Sequence, residues 1–340
     1  MRRGESFLST FSELQVPNSG EAREAKDDLL LRCPGCRDVI VPLAAITFSG
    51  WVCPSCNLRL TKKNGVIRAL PGERRNYYAN FAEEYLTIRR DEGRGSEDAA
   101  YYLALPFEDT TRRLAEQWAM RAKTYSYFER KILPGIEAEF PGPLNILDLG
   151  AGPGWLSYHL ARRGHRPTAV DLLDDPLDGL GAAHHYHTAL QRAFPAMQAE
   201  FDNLPLADAQ FDLAIFNASF HYSTDYRQTL HEVRRCLRWA ARIVILDTPV
   251  YDRYEHGERM REERHQLFQN RYGFRSDSVP SMEYLDQSMM HALSKDLNLR
   301  WKVYHPWYGW RWHLRPLKAR LTRKRPPSRF WILEGSWGAA

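Results

Sequence analysis

The sequence predicts an α/β fold with a small cysteine-rich module in front of it. Residues 144–171 contain a buried strand (144–149), a glycine turn, a helix (155–163) and a second strand (168–173). A strand, a crossover helix and a parallel strand form a βαβ unit, which indicates a parallel sheet covered by helices. Two C-x2-C pairs precede this unit, and their duplicated spacing predicts a separate metal-stabilised module.

The glycine turn identifies the kind of ligand that the βαβ unit would bind. Three glycines, Gly150, Gly152 and Gly154, let a ligand approach the backbone at a helix N-terminus. Asp171, near the end of the second strand, can accept hydrogen bonds from ribose hydroxyls. A dinucleotide site has the pattern G-x-G-x-x-G, but Trp155 stands here where the third glycine would be. The pattern therefore disfavours NAD-dependent oxidoreduction.

The stretch Asp148–Gly154 (Asp-Leu-Gly-Ala-Gly-Pro-Gly) resembles the first motif of class I S-adenosylmethionine-dependent methyltransferases. Residues 201–206 and 207–212 resemble the second motif of that family. The resemblance implies a Rossmann-like, seven-stranded sheet and the cofactor S-adenosyl-L-methionine. It also implies a set of cofactor-binding residues: Asp148, Gly150, Ala151, Gly152, Gly154, Asp171, Leu172, Asp202, Asn203, Leu204 and Asn217.

The cysteine-rich module at residues 28–72 predicts a structural zinc site. Cys33 and Cys36 form one C-x2-C knuckle, and Cys53 and Cys56 form the other. Four thiolates on two tight turns complete a tetrahedral site suited to Zn²⁺, with no position left open for catalysis. Two local disulfides or a redox pair are the alternatives, which the duplicated spacing disfavours. The segment resembles the zinc-ribbon leader of some bacterial methyltransferases.

Composition sets the broad class. The chain has 340 residues, 44% apolar residues and a formal net charge of +5, which predicts a globular and mildly basic protein. No apolar run is long enough for a transmembrane helix, and the N-terminus lacks the features of a signal peptide. We therefore expect a cytoplasmic protein. The fifth cysteine, Cys236, falls on an amphipathic helix and is expected to be buried and inert.

The predicted domain plan has four parts. Residues 1–27 would form a mobile N-terminal tail, and residues 28–72 the zinc ribbon. Residues 73–140 read as a helical cap, or substrate segment, with a long helix from about residue 110 to Leu133. The methyltransferase domain would occupy residues 141–340, with a variable C-terminal insertion at about residues 251–328.

Candidate substrate-binding residues lie in the cap and after the fourth strand. Tyr78, Tyr85, Tyr101 and Tyr102 are candidates for lining a pocket, with packing as the alternative. His221 follows the predicted fourth strand and is the candidate catalytic base, because imidazole titrates near neutral pH. A structural role for His221 remains the alternative.

The C-terminal segment from Arg311 to Arg329 is the candidate partner surface. It contains eight lysines or arginines and no acid, and tryptophans precede it. A solvated loop is the plain interpretation. RNA or an anionic membrane surface is the functional one.

These features predict methyl transfer to a small or medium-sized metabolite, such as a lipid, a quinone-like molecule or a natural product. One alternative is an RNA (rRNA or tRNA) base methyltransferase, which the zinc ribbon and the basic segment favour. A second alternative is a non-catalytic cofactor-binding protein, which the intact acid and glycine set disfavours.

Overall fold

The computed structural model describes residues 29–338, and the predicted N-terminal tail (1–27) lies outside them. The strands are β1 Leu30–Arg32, β2 Ile40–Pro42, β3 Trp51–Val52, β4 Arg59–Lys63, β5 Val66–Arg68, β6 Asn145–Leu149, β7 Arg166–Asp171, β8 Ala196–Gln198, β9 Phe211–Asn217, β10 Leu237–Leu246, β11 Val250–Tyr251, β12 Leu285–Asp286, β13 Leu299–Tyr304 and β14 Ile332–Trp337. The α-helices are α1 Gly72–Tyr77, α2 Ala79–Asp91, α3 Ala99–Ala104, α4 Ala115–Tyr127, α5 Leu133–Glu137, α6 Trp155–Arg162, α7 His184–His187, α8 Tyr226–Cys236, α9 Tyr254–Tyr272, α10 Gln287–Leu297, α11 Trp310–His313 and α12 Arg315–Leu321.

A ten-stranded sheet forms the centre of the described part, in the order β13-β14-β10-β9-β6-β7-β8-β5-β4-β3. Strands β6 to β10 run parallel, and β14 is antiparallel to both β10 and β13. Seven of the strands, β6 to β10 with β13 and β14, form the predicted Rossmann-like sheet, which confirms the predicted fold class. The strand order reverses at β6, and ligands of such sheets bind at the carboxyl ends of the strands beside this reversal.

The remaining three strands of the large sheet come from the cysteine-rich module. β5 pairs in parallel with β8, from Val66 opposite Ala196 to Arg68 opposite Gln198, and β4 and β3 follow as antiparallel neighbours. The module is therefore joined to the sheet by backbone hydrogen bonds, next to the strand that precedes residues 199–201.

The cap helices cover one face of the sheet. α4 continues through a π-helical turn, Phe128–Ile132, into α5. The prediction that this helix ends before Pro134 was wrong, because Pro134 lies in the first turn of α5, where its missing N–H is not needed. Large buried side chains of the cap, among them Tyr102, Tyr125 and Phe128, pack in one core with the helix-facing side of β6.

The C-terminal part completes the sheet. β13 lies at the edge of the large sheet, and β14 lies between it and β10. Residues 238–241 form an irregularity within β10, where its register with β9 shifts. Among the helices of residues 29–338, none is long and apolar enough to cross a membrane.

Candidate active site

A cavity of about 940 Å³, including its open mouth, lies at the carboxyl ends of the central strands. We call one wall the sheet half, formed by Asp148, Gly150, Ala151, Gly152 and Asp171. We call the other the cap half, formed by Phe81, Tyr85, Arg89 and Arg121. The first comes from β6, β7 and the turn between them, and the second from α2 and α4.

The glycine turn brings backbone, not side chains, to the cavity. The amides of Gly150 and Ala151 donate to the carbonyl of Val170, at 2.8 and 3.1 Å. Gly150 has φ of +71°, and a Cβ there would lie 2.2 Å from the Cβ of Ser219. Gly152 has φ of +53°, but a Cβ there would meet no atom within 4 Å. The first glycine is thus required by packing, and the second leaves open space beside the backbone.

Two acids of the sheet half, the buried Asp148 and the partly buried Asp171, form no ion pair within the described part of the chain. Asp148 accepts from the Ser157 hydroxyl at 2.8 Å through Oδ2, while its buried Oδ1 has no hydrogen-bond partner. Burial raises the pKa of Asp148 to about 7. Asp171 accepts from the amides of Gly152, at 2.8 Å, and Leu173, at 2.9 Å. Burial also raises the pKa of Asp171, to about 6. Both sites would favour a positively charged ligand.

The segment after β8 contributes Glu200 to the cavity instead of the predicted Asp202. Glu200 is buried and accepts from Arg74, with Nε 3.0 Å from Oε1, and from the Tyr78 hydroxyl at 2.9 Å. Asp202 does not line the cavity: its oxygens accept from the hydroxyls of Thr229, at 2.5 Å, and Thr224, at 3.3 Å. β8 ends at Gln198, so Glu200 is the first acid after the strand.

Two further predicted cofactor residues face the cysteine-rich module or α8. Asn203 donates through Nδ2 to the carbonyl of Pro34 at 2.8 Å and accepts from Arg37 at 3.2 Å. The Leu204 amide donates to Glu232 of α8 at 2.9 Å. Gly154 also lies outside the cavity lining, where φ of +92° lets it cap α6. Leu172 and Asn217, which were also predicted to bind the cofactor, do line the cavity.

Aromatic rings enclose the cap half. Phe81, Tyr85 and Tyr222 are in mutual contact, with ring centroids 5.7 to 6.2 Å apart. Tyr78 lines the same cavity, so two of the four candidate tyrosines, Tyr78 and Tyr85, lie there. The other two, Tyr101 and Tyr102, are buried in the core.

Two arginines of the cap half differ in their partners. Arg89 forms an ion pair with Asp178, with one nitrogen–oxygen contact of 3.1 Å. Arg121 contacts the Trp118 ring, its guanidinium carbon 5.0 Å from the centroid. Within residues 29–338, Arg121 has no ion pair or hydrogen bond. Burial and the nearby charges of Arg94 and Arg89 lower its pKa to about 10, so it stays protonated at neutral pH.

His221, the candidate base, does not line the cavity. Its ring lies beside that of Tyr222, with centroids 4.4 Å apart, and its buried Nδ1 has no hydrogen-bond partner. Burial, with the charges of Arg264 and Arg121, lowers the pKa of His221 to about 3. The imidazole is therefore neutral and weakly basic at physiological pH. Its catalytic role stays a prediction.

The residues that sequence analysis missed are Glu200, Arg89 and Arg121. Glu200 could have been found from the sequence, because it is an acid directly before the predicted second motif at residues 201–206. The two arginines had no such signal, because a charged residue on an amphipathic helix is more often solvated than turned toward a ligand.

The cysteine-rich module forms a candidate metal centre. The sulfurs of Cys33, Cys36, Cys53 and Cys56 all lie within 4.8 Å of one another. Cys33 and Cys56 have a sulfur separation of 3.6 Å, and Cys36 and Cys53 one of 3.7 Å. These distances exceed a disulfide bond of about 2.05 Å. They match the roughly 3.8 Å edge of a tetrahedron with Zn–S bonds of about 2.3 Å.

The two knuckles share one backbone geometry. The carbonyls of Cys33 and Cys53 each accept from the amide four residues later, Arg37 or Asn57, at 2.9 Å. Both of those later residues adopt positive φ, 65° and 59°. This repeated geometry fits the predicted zinc-ribbon leader.

Comparison with known proteins gives the family of the central segment. Residues 147–245 match the family model described as "Methyltransferase domain". Malonyl-[acyl-carrier protein] O-methyltransferase of Pseudescherichia vulneris is 35% identical over 99 residues, which cover 28% of this chain and 36% of that protein. The protein of the same name from Geobacter sulfurreducens is 34% identical over 109 residues, 32% of this chain and 39% of the relative. The chain thus spans little more than a third of the length of these relatives.

One solved structure with a similar fold is the 1,6-didemethyltoxoflavin-N1-methyltransferase of Burkholderia thailandensis, with bound S-adenosylhomocysteine. It is 14% identical, with a TM-score of 0.47, and the match covers 84% of this chain and 98% of that one. The segment matched by the family model runs from β6 to β10 and carries the sheet half of the cavity. The match of residues 147–245 to the methyltransferase domain family confirms the resemblance drawn from the sequence.

Proposed function

We propose that this chain is an S-adenosylmethionine-dependent methyltransferase whose acceptor is a small or medium-sized metabolite carrying a carboxylate. The observation that carries the proposal is the charge distribution of one cavity. Among the described residues, Asp148 and Asp171 of its sheet half form no ion pair with a cation, and the protonated Arg121 of its cap half forms none with an acid. A cationic methyl donor and an anionic acceptor would each meet the opposite charge.

The sheet half fits the cofactor on its own residues. S-adenosylmethionine carries a positive sulfonium and, when bound, supplies an electrophilic methyl group. Asp171 has lone pairs available for ribose hydroxyls beyond the two amides it accepts from. The unpartnered Oδ1 of Asp148 needs a donor, and the open space beside Gly152 admits a ligand against the backbone.

The cap half fits an acceptor with an anionic group and an apolar or planar body. Arg121 presents a guanidinium whose fork matches a carboxylate, and a partly desolvated site strengthens such a pair. The rings of Phe81, Tyr85 and Tyr222 give the adjoining wall an apolar character. The two relatives carry the name malonyl-[acyl-carrier protein] O-methyltransferase, which supports a lipid-related acyl acceptor with a carboxylate.

A carboxylate acceptor removes the need for a general base. Carboxylates are ionised at neutral pH, so no proton has to leave before methyl transfer. The protein then mainly aligns the acceptor oxygen with the methyl carbon and excludes water. His221 has a pKa of about 3 and lies outside the cavity lining, so it would be a poor base in any case.

Labelled methyl transfer tests this function. The full chain would be incubated with radiolabelled S-adenosylmethionine and, in parallel, acyl thioesters ending in a carboxylate, the same compounds as primary amides, and total RNA. We expect label only with the carboxylates, as methyl esters that release methanol in base. We also expect a rate that does not change between neutral and mildly alkaline pH. Label in RNA or in the amides would overturn the acceptor proposal, and lack of cofactor binding would overturn the donor proposal.

We further propose that Zn²⁺ occupies the four-cysteine centre and is structural. The Cys33–Cys36 knuckle holds Asn203 through Pro34 and Arg37, three residues after Glu200 of the cavity. Zinc content would be measured by elemental mass spectrometry on the full chain and on Cys56→Ser, with Cys236→Ser as the matched control. We expect about one zinc per chain in wild type and control, and loss of both zinc and thermal stability in Cys56→Ser. Equal metal content in all three would contradict the assignment.

A further inference from the structure

The segment from Trp310 to Leu321 exposes an apolar stripe. Its members are Trp310, Leu314, Leu317 and Leu321, each between 54% and 77% exposed. Trp307 precedes them and is exposed as well, with its ring 5.1 Å from that of Trp310. Single exposed apolar residues are ordinary on a protein surface, but a contiguous set indicates an interaction site.

The stripe lies along one side of a nearly continuous helix. α11 and α12 are joined through Leu314, whose amide donates to the carbonyl of Trp310 at 3.0 Å and whose carbonyl accepts from Lys318 at 3.0 Å. At 3.6 residues per turn, positions 310, 314, 317 and 321 fall within about 60° of arc. The four side chains therefore form a single ridge.

Cations flank the ridge on both sides. With the same periodicity, Arg311 and Lys318 project to one side of it and Arg320 to the other. In the described part of the chain, no carboxylate pairs with Arg311, Lys318, Arg320, Arg323 or Lys324, all of which are exposed. Three other cations of the segment are already engaged: Arg325 with Glu263, Arg329 with Asp252, and Arg315 with the carbonyl of Ser328.

The opposite side of the helix is packed, so the segment is firmly placed. Arg315 stacks on the Trp312 ring, at 3.1 Å from its centroid, and Trp312 contacts Phe330 with ring centroids 5.3 Å apart. Buried Tyr308 lies just before the helix, its hydroxyl 2.9 Å from that of Thr124. Lys123 donates to the carbonyl of Tyr308 at 2.9 Å. Thr124 and Lys123 belong to α4, the helix that carries Arg121.

We propose that this helix binds the surface of a lipid bilayer with anionic headgroups. It would lie in the plane of the interface, with the apolar ridge among the acyl chains and the flanking cations at the phosphates. The combination of an apolar ridge with basic sides on one short helix is the pattern of interfacial helices, and tryptophan favours the same depth. RNA would use the cations but leave three exposed leucines unexplained, since bases stack on aromatic rings and arginines.

The proposal is independent of the acceptor and goes beyond methyl transfer. It also places the bilayer beside α4, so an acceptor dissolved in or attached to the membrane would reach the protein near the cap half. The contact between Tyr308 and Thr124 provides the structural connection.

Vesicle sedimentation of the full chain tests the proposal. The probes are vesicles of phosphatidylcholine alone and of phosphatidylcholine mixed with phosphatidylglycerol. The apolar variant is Leu317→Ser with Leu321→Ser, and its control is Leu267→Ser, an exposed leucine of α9. The charge variant is Lys318→Gln with Arg320→Gln, and its control is Arg259→Gln, also on α9. Because these side chains are exposed, melting temperatures should stay unchanged.

Wild type and both controls should bind the anionic vesicles, and salt should weaken the binding. The apolar variant should lose affinity by about tenfold or more. The charge variant should also lose about tenfold in affinity, but only for the vesicles that contain phosphatidylglycerol. Failure of wild type to bind, or equal binding by the apolar variant and its control, would overturn the proposal. So would binding of total RNA without vesicle binding, or self-association of the free protein that the apolar variant abolishes without any vesicle binding.

Discussion

The two halves of the cavity are built in different ways. The sheet half comes from one continuous stretch, residues 148–171, and approaches its ligand mainly with backbone and with two carboxylates held by short-range hydrogen bonds. The cap half comes from two helices that are separated in sequence, and approaches with aromatic rings and an arginine. The glycine turn sets the geometry of the sheet half, and the packing of two helices sets the geometry of the cap half.

The difference indicates how function is divided between the halves. A turn that needs positive φ and close backbone contact has little freedom to vary, so it suits a ligand that never changes, such as a cofactor. Side chains on helices can be exchanged without disturbing the fold, so they suit selection of the acceptor. Substitutions in the sheet half should therefore weaken binding of the cofactor alone, and substitutions in the cap half should weaken binding of the acceptor alone.

The largest effect is expected at the glycine turn. Gly150→Ala would place a Cβ 2.2 Å from that of Ser219 in a left-handed backbone conformation, whereas Gly152→Ala meets no atom within 4 Å. We expect the first variant to lose about 3 kcal/mol of unfolding free energy or more, and the second about 1 to 2 kcal/mol. Gly152→Ala should nevertheless bind S-adenosylmethionine more weakly, because its methyl group enters the ligand space. Urea unfolding and calorimetric titration measure the two effects, and equal stability of the variants would contradict the packing at Gly150.

The next effect concerns cofactor binding through Asp171. Asp171→Ala removes the acceptor for the Gly152 amide and for ribose hydroxyls, at a cost of about 1.5 to 3 kcal/mol in binding free energy. The affinity for S-adenosylmethionine should fall accordingly, while the acceptor KM changes little. Asp208→Ala, which removes a carboxylate paired with Arg32 and Arg235, is the control. An unchanged cofactor affinity in Asp171→Ala would remove this residue from the site.

The same contrast explains what could be predicted from the sequence. The sheet half follows from local rules: glycine spacing, strand ends and an acid after the second strand placed Gly150, Gly152 and Asp171 at the cavity. Residues 202–204, which were predicted to bind the cofactor, lie outside the cavity lining, and the first acid after β8 that lines the cavity is Glu200. Asn203 instead joins the cysteine-rich module, a contact between residues about 170 positions apart that no local pattern contains.

The cap half could be predicted only in part. A tyrosine-rich start of the cap suggested pocket residues, and Tyr78 and Tyr85 do line the cavity. Tyr101 and Tyr102 have equally suitable side chains but are buried in the core, where the ring of Tyr102 contacts that of Tyr186. Arg121 had no signal, since its role depends on which face of α4 meets the cavity, and that face is set by tertiary packing.

A smaller effect, confined to the acceptor, is expected at Arg121. Arg121→Gln should raise the acceptor KM by roughly tenfold, because a charge-assisted hydrogen bond is lost. Arg121→Lys should recover part of this, since it keeps the charge but not the fork. The dissociation constant of S-adenosylmethionine should stay the same in both. Arg259→Gln, on α9, serves as the control, and a parallel loss of cofactor affinity in Arg121→Gln would contradict the division between the halves.

The last effect is a pH dependence of the free energy of unfolding, which bound cofactor should reduce and a bound acceptor should not. The pKa of Asp148 is raised to about 7 in the folded protein, against about 4 for an unfolded chain. The folded state then binds more protons between these values, so this group stabilises the protein at low pH, and its contribution falls as pH rises toward and through 7. Between pH 5 and 8, wild type should lose about 1 to 3 kcal/mol more than Asp148→Asn, as measured by urea unfolding.

Saturating S-adenosylmethionine should reduce this difference, because a nearby positive charge favours the ionised carboxylate and lowers its pKa. A carboxylate acceptor analogue, binding in the cap half at Arg121, should leave the difference unchanged. If the acceptor analogue reduced it as strongly as the cofactor does, the two ligands would share the environment of Asp148. The separation of the cavity into a half for the donor and a half for the acceptor would then be wrong.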